Sequence, residues 1–153
     1  MSQVPEHLRT GLPLVDHEHQ ALLDLLQRTR AVCPDRAARD CHACPAERSR
    51  HCFAAFERVL NESINYMLGH FAHEERLMDQ GVPKAHVAAH QAAHAEIANA
   101  VLRTTTYLDN DNTAATSRQL AQVFEDWLFR HIEEHDLELA RHLHDKAGPG
   151  TGT

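Results

Sequence analysis

The chain has 153 residues, enough for one domain with a real core, and its 42% hydrophobic and 24% charged residues are ordinary for a globular protein. A net charge of -7 makes a nucleic-acid partner a poor fit, and no run of about eighteen apolar residues is present to span a membrane. The opening MSQVPEHLRTG has neither the basic start nor the apolar stretch of a signal peptide, so a cytoplasmic location is expected.

Aromatics make up only 5% of the chain, β-branched residues are few, and Ala and Leu are abundant, a composition that favours helices. Residues 1–12 read as an arm broken by Pro5, Gly11 and Pro13. A first helix follows from about 14, with Leu14, Val15, Leu22, Leu25 and Leu26 near a 3.6-residue spacing, and should end near Cys33 and Pro34. The stretch 33–52, CPDRAARDCHACPAERSRHC, has two prolines, many charges and almost no large apolar residue, so it reads as an insertion between helices. A second helix is expected over 53–80, where Phe53, Phe56, Val59, Leu60, Ile64, Met67, Leu68, Phe71 and Met78 trace an apolar stripe; Gly81-Val82-Pro83 ends it. A third helix spans about 84–108, the polar turn 109–113 offers helix N-caps, and a fourth helix spans about 114–145 before a flexible tail at 147–153. Four helices on short turns predict an all-α, antiparallel up-down four-helix bundle as one domain over 13–146.

The chain holds 14 histidines and 4 cysteines, and the cysteines are confined to the stretch from Cys33 to Cys52. Single His-x3-His pairs carry little weight in such a background, and three of them occur: His86/His90, His90/His94 and His131/His135. His70 and Glu74 lie one turn apart on one face of the second helix, at the edge of its apolar stripe. A buried pair of that kind needs a partner, and a metal supplies one. His131 and Asp136 are five apart, which is not a same-face spacing in a regular helix; they serve either as ligands reaching around opposite flanks of a metal pair or through a local π-bulge. Every helix thus offers an imidazole and two add a carboxylate, a donor set suited to iron inside a bundle.

Four stretches, GLPLVDHEHQALL, YMLGHFAHEERLM, HQAAH and WLFRHIEEHD, resemble the motifs of the hemerythrin family over roughly residues 11–145, apart from the insertion. The resemblance implies His19 rather than His17 as the ligand on the first helix, and His70 and Glu74 on the second. It implies His90 and His94 on the third, chosen over His86/His90 by the interval from Met78 and by the following Ile97, and His131 and Asp136 on the fourth. It further implies two irons with a bridging oxo or hydroxo group, one iron on His90, His94 and His131 and the other on His19 and His70. Glu74 and Asp136 would bridge them, with an open position for dioxygen. Phe71, Trp127, Leu128 and Ile132 would wall the oxygen pocket and keep water out.

The insertion departs from the family pattern. Its spacing, Cys33-x7-Cys41-x2-Cys44-x7-Cys52, suits one tetrahedral zinc, and a redox-active Cys-x2-Cys or a disulfide pair is the alternative; His42 and His51 are spare donors. The expected function is reversible dioxygen binding for storage, delivery or sensing, with a protein or redox partner engaged through the cysteine loop. The alternative is a diiron enzyme that reduces peroxide or nitric oxide or repairs iron centres. His73 and His135 are expected on the outer face.

Overall fold

The structure, a computed structural model, describes residues 3–34 and 41–147. The middle of the expected insertion and the tail after 147 lie outside the described residues. The helices are α1 (Pro13–Arg30), α2 (Ala46–Met78), α3 (Lys84–Thr105), α4 (Thr113–His131) and α5 (Leu137–Ala147); a π-helical turn (Ile132–Asp136) joins the last two into one long fourth rod. α1 packs against α2 and α4, and α3 packs against α4 and α2, which closes an up-down four-helix bundle.

Local chemistry sets the ends of the rods. Gly11, with φ +79°, turns the chain into α1, and Asp16 ties that turn down by accepting from the Thr10 and Gly11 amides at 2.7 and 3.1 Å. Gly81, with φ +86°, turns the chain out of α2, and Pro83 then opens α3. In the α3–α4 turn, Asp109 Oδ1 accepts from the amides of Asp111 and Asn112, and Asn112 Oδ1 accepts from the amide of Asp109. Glu6–Leu8 form a short 3-10 turn rather than a free arm; Leu8 is buried in the core and the Val4 amide donates to Gln20.

Two differences from the sequence expectation matter. α2 begins at Ala46 rather than near 53, so the last third of the insertion is helix. Ala46, Glu47, Arg48 and Arg50 form helix well while facing water, Glu47 sits favourably in the first turn, and Ser49 alone of residues 46–51 is buried, donating to the Cys41 carbonyl. An apolar period could not reveal turns that bury almost nothing. Leu14 and Leu68, read as part of apolar stripes, are 68% and 52% exposed.

The main core runs through the bundle from Leu22, Leu26 and Phe56 to Phe71, Ile97, Trp127, Leu128 and Ile132. A smaller cluster of Met78, Val82 and Leu139 closes the end of the bundle. Between the two lies a layer of buried polar side chains. Phe56 is fully buried at the middle of the main core. Replacing it with Ala should cost about 3–5 kcal/mol, seen as a lower urea midpoint at unchanged slope; a shift worth under about 1 kcal/mol would contradict that packing.

Candidate metal centre

The polar layer comprises His19 on α1, His70 and Glu74 on α2, His90 and His94 on α3, and His131 and Asp136 on the fourth rod. Each is 5% exposed or less. Their inward aim follows from helix geometry. His70/Glu74 and His90/His94 are four apart and so share a face. His131 and Asp136 are five apart, about 1.4 turns of an α-helix, which would splay them. The π turn between them has i to i+5 bonding, the Leu137 amide donating to the Ile132 carbonyl, and its wider coil brings Asp136 back over His131. His131 Nε2 and Asp136 Oδ1 are 3.0 Å apart.

The donors fall into two groups, each with ligand atoms within 4.8 Å of one another: Glu74, His90, His94 and His131, and His19, His70, Glu74 and Asp136. The carboxylates straddle them. Glu74 Oε2 stands 3.2 Å from His90 Nε2 and 3.0 Å from His94 Nε2, while its Oε1 faces His70 Nε2 at 3.5 Å. Asp136 Oδ1 stands 3.0 Å from His90 Nε2, and its Oδ2 stands 2.9 Å from His19 Nε2. His17 is exposed.

Only some of these close approaches are hydrogen bonds, His94 Nε2 to Glu74 Oε2 among them. His19 Nε2, His70 Nε2, Glu74 Oε1 and both Asp136 oxygens are buried with no partner in hydrogen-bond geometry, and His90 Nε2 and His131 Nε2 point at each other across 3.1 Å. Each such orphan costs about 1–3 kcal/mol. Lone pairs that converge on common points from four helices are satisfied together by cations, and the imidazole and carboxylate donors fit that role.

The electrostatics agree. Burial pushes the Glu74 carboxyl well above its usual range, and repulsion from Asp136 adds to this. Burial also raises Asp136, but His131, His19 and His90 outweigh it and hold that carboxyl well below its usual range. Burial lowers His70 and His131, and burial with the neighbouring His131 and His90 pushes His94 down to about 2. His70, His94 and His131 are therefore neutral at physiological pH, the state in which imidazole binds metal.

A second ring of residues holds the first, and the sequence reading missed its chief member, Glu18. Its carboxylate accepts from His70 Nδ1 at 2.7 Å and from His73 Nδ1 at 2.9 Å, which directs His70 Nε2 inward. Nothing in the one-dimensional pattern pairs residue 18 with residue 70. On the other side, His90 Nδ1 and His86 Nε2 are 3.1 Å apart. With His90 Nε2 turned to the centre, its Nδ1–H donates to His86, and His86 Nδ1 is left facing Glu138 at 3.7 Å. His73 and His135 are half-buried rather than on the outer face. The His135 ring lies 5.2 Å from His131 and 5.4 Å from His90. The site's aromatic neighbours are specific: Phe71 stacks on His94 at 3.8 Å, and Trp127 stacks on His131 at 4.4 Å while donating to the Ala93 carbonyl. Leu128 and Ile132 are fully buried in the adjoining core. The four cysteines are brought together elsewhere: Cys52 lies eighteen residues before His70 on α2, about 27 Å along the helix.

Glu18→Ala and His86→Leu should each weaken metal affinity about 10–100-fold while leaving helix content unchanged, as read by competition with a chelator. Affinity equal to the parent in both would show that the outer ring positions nothing. The buried histidines also set a pH dependence for the metal-free chain. Unfolded, they take up protons near pH 6.5; folded, at lower pH, about 2 for His94. The unfolded state then binds more protons between those values, so stability falls as pH drops below about 6.5, by up to about 1.4 kcal/mol per pH unit per histidine. Glu74 opposes this with a single proton, since its raised affinity favours the folded state above its usual range. Three histidines outweigh it, so the urea midpoint of metal-free protein should fall between about pH 7 and about pH 5; an equal or higher midpoint at the lower pH would contradict the assignment.

The model of the family described as Hemerythrin HHE cation binding domain matches residues 10–143. The chain is 27% identical over 138 residues to a protein named bacteriohemerythrin from Stenotrophomonas maltophilia (strain R551-3), covering 88% of this chain and 76% of the relative. It is 24% identical over 143 residues to a bacteriohemerythrin from Pseudomonas aeruginosa (strain LESB58), covering 90% and 80%. No solved structure gives a significant match. With cation-fitting clusters of histidine and carboxylate buried where its helices converge, and a family match that spans nearly the whole bundle, the chain belongs to the hemerythrin HHE cation-binding domain family.

Proposed function

We propose that the centre holds two iron ions and binds dioxygen reversibly. The observation that carries this reading is the unequal division of donors around two shared carboxylates. Three imidazoles, His90, His94 and His131, gather on one side of Glu74, and two, His19 and His70, gather on the other. Asp136 groups with His19 and His70, but its Oδ1 also stands 3.0 Å from His90 and His131 Nε2; with both carboxylates shared, the His19/His70 side would be one donor poorer and have room for an exogenous ligand. Held by these residues, two ferrous ions would supply the two electrons that bound dioxygen takes up and returns on release.

The chain's own residues do the rest. Glu74 and Asp136 lend one oxygen to each side and balance charge in a place that admits no bulk water. Glu18 keeps the outer proton on His70 Nδ1, and His86 accepts the outer N–H of His90, so both rings present Nε2 inward. Phe71 and Trp127 lie flat on His94 and His131, and with Leu128 and Ile132 they keep the surroundings apolar. Exclusion of water and protons favours release of oxygen intact over its reduction. The working unit is the domain over 13–146. Among the described residues no helix is long and apolar enough to cross a membrane. A cytoplasmic setting, where thiols persist, goes with this reading.

The test is an iron count together with a visible spectrum taken through reduction, oxygenation and purging with inert gas. Two irons per chain and an oxygenated spectrum that disappears on purging and returns with oxygen are expected. His70→Ala and Glu74→Ala should each abolish stable two-iron loading. Full iron content in either variant would sink the site assignment. Steady consumption of peroxide or nitric oxide without a stable oxygenated form would replace binding with turnover.

A further inference from the structure

The two-iron reading leaves four cysteines without a role. Three segments bring them together. Cys33 follows the end of α1, Cys41 opens a 3-10 turn (Cys41–Ala43) that Cys44 follows, and Cys52 lies in the second turn of α2. The Cys44 amide donates to the Cys41 carbonyl at 3.0 Å, which closes the Cys-x2-Cys turn, and Ser49 Oγ donates to the same carbonyl from α2.

All four line one cavity of about 10 Å³, completed by Arg48, Ser49 and Ala114. That volume is about one atom-sized sphere. Two donors are aimed at the sulfurs. The Ala114 amide, in the first turn of α4, donates to Cys41 Sγ at 3.4 Å, and Arg118 Nη2 donates to Cys33 Sγ at 3.8 Å. Four thiolates in this space need a cation at their centre.

We propose that Cys33, Cys41, Cys44 and Cys52 form a four-thiolate site for a single zinc-class divalent ion. Binding releases four thiol protons to solvent and leaves a centre of charge -2, which Arg48 and Arg118 offset. Among the described residues no three of the sulfurs lie within 4.8 Å of one another. Zn–S bonds of about 2.3 Å set tetrahedral sulfurs about 3.8 Å apart, so binding draws the side chains into the void that they surround. The donor set separates this site from the bundle centre, because thiolate selects soft or borderline metals and the bundle centre offers none. The ion would tie the end of α1 to the start of α2, and through the Cys41–Ala114 bond to the start of α4.

The test uses the full chain with its iron in place, in two parallel samples loaded with zinc or with cobalt. One zinc per chain should survive gel filtration. The cobalt sample should show a sulfur-to-cobalt charge-transfer band and the intense visible bands of tetrahedral cobalt. The double variant Cys41→Ser, Cys44→Ser should lose both signals and keep its iron. A parent spectrum without sulfur charge transfer would overturn the proposal whatever the variant's folding. So would an intact mass showing disulfides in protein purified without oxidant, or thiols equally reactive with and without zinc. Iron content measured on the same samples keeps the result independent of the two-iron reading.

Discussion

Two carboxyl groups in a dry helical core cannot both carry charge without help, and the rest of this structure is arranged around that constraint. Glu74 and Asp136 occupy the same buried layer and repel each other; Asp136 keeps its charge because three imidazoles crowd it, and Glu74 is driven toward its protonated form. An apolar bundle of this size would be simpler to build without them. Placing apolar clusters on both sides of the layer keeps the carboxylates and the histidines from finding water. The protein therefore holds its donors in a frustrated state that cation binding would relieve.

Orientation is the second requirement, and it is met unevenly. The outer nitrogens of His70 and His90 are held by Glu18 and His86, whereas those of His19, His94 and His131 have no hydrogen-bond partner among the described residues. Two of these three rings are fixed by stacking instead, His94 on Phe71 and His131 on Trp127. Aromatic faces and hydrogen bonds thus divide the work of aiming the imidazoles, which places Phe71 and Trp127 in the same layer as the histidines.

Much of the fold was legible because the first two helices carry apolar residues at helical period, and His70/Glu74 stood out because a same-face polar pair sits at the edge of the longer of these stripes. Other parts were hidden for definite reasons. The first turns of α2 are polar and exposed, so they imitate a loop in any reading that looks for a core. Leu14 and Leu68 keep the period but miss the buried sector. Glu18, His86 and His135 act across helices, and sequence spacing carries no information about which helix faces meet. The step from His131 to Asp136 looked irregular because the regular helix was the wrong ruler. The four cysteines were conspicuous in sequence, but their shared one-atom cavity depends on α2 starting early enough to carry Cys52 beside Cys44.

The π turn also constrains how this chain can change. Glu133 and Glu134 within it are exposed and belong to neither donor group, so their identities are freer to drift. Their number is not. Removing one residue there would rotate α5 by about 100° relative to α4, carrying Asp136 away from His131 and Leu139 away from Met78 and Val82 in one move. The segment is free in composition and rigid in length. A lone deletion at this point on the surface would be more damaging than most substitutions in the core.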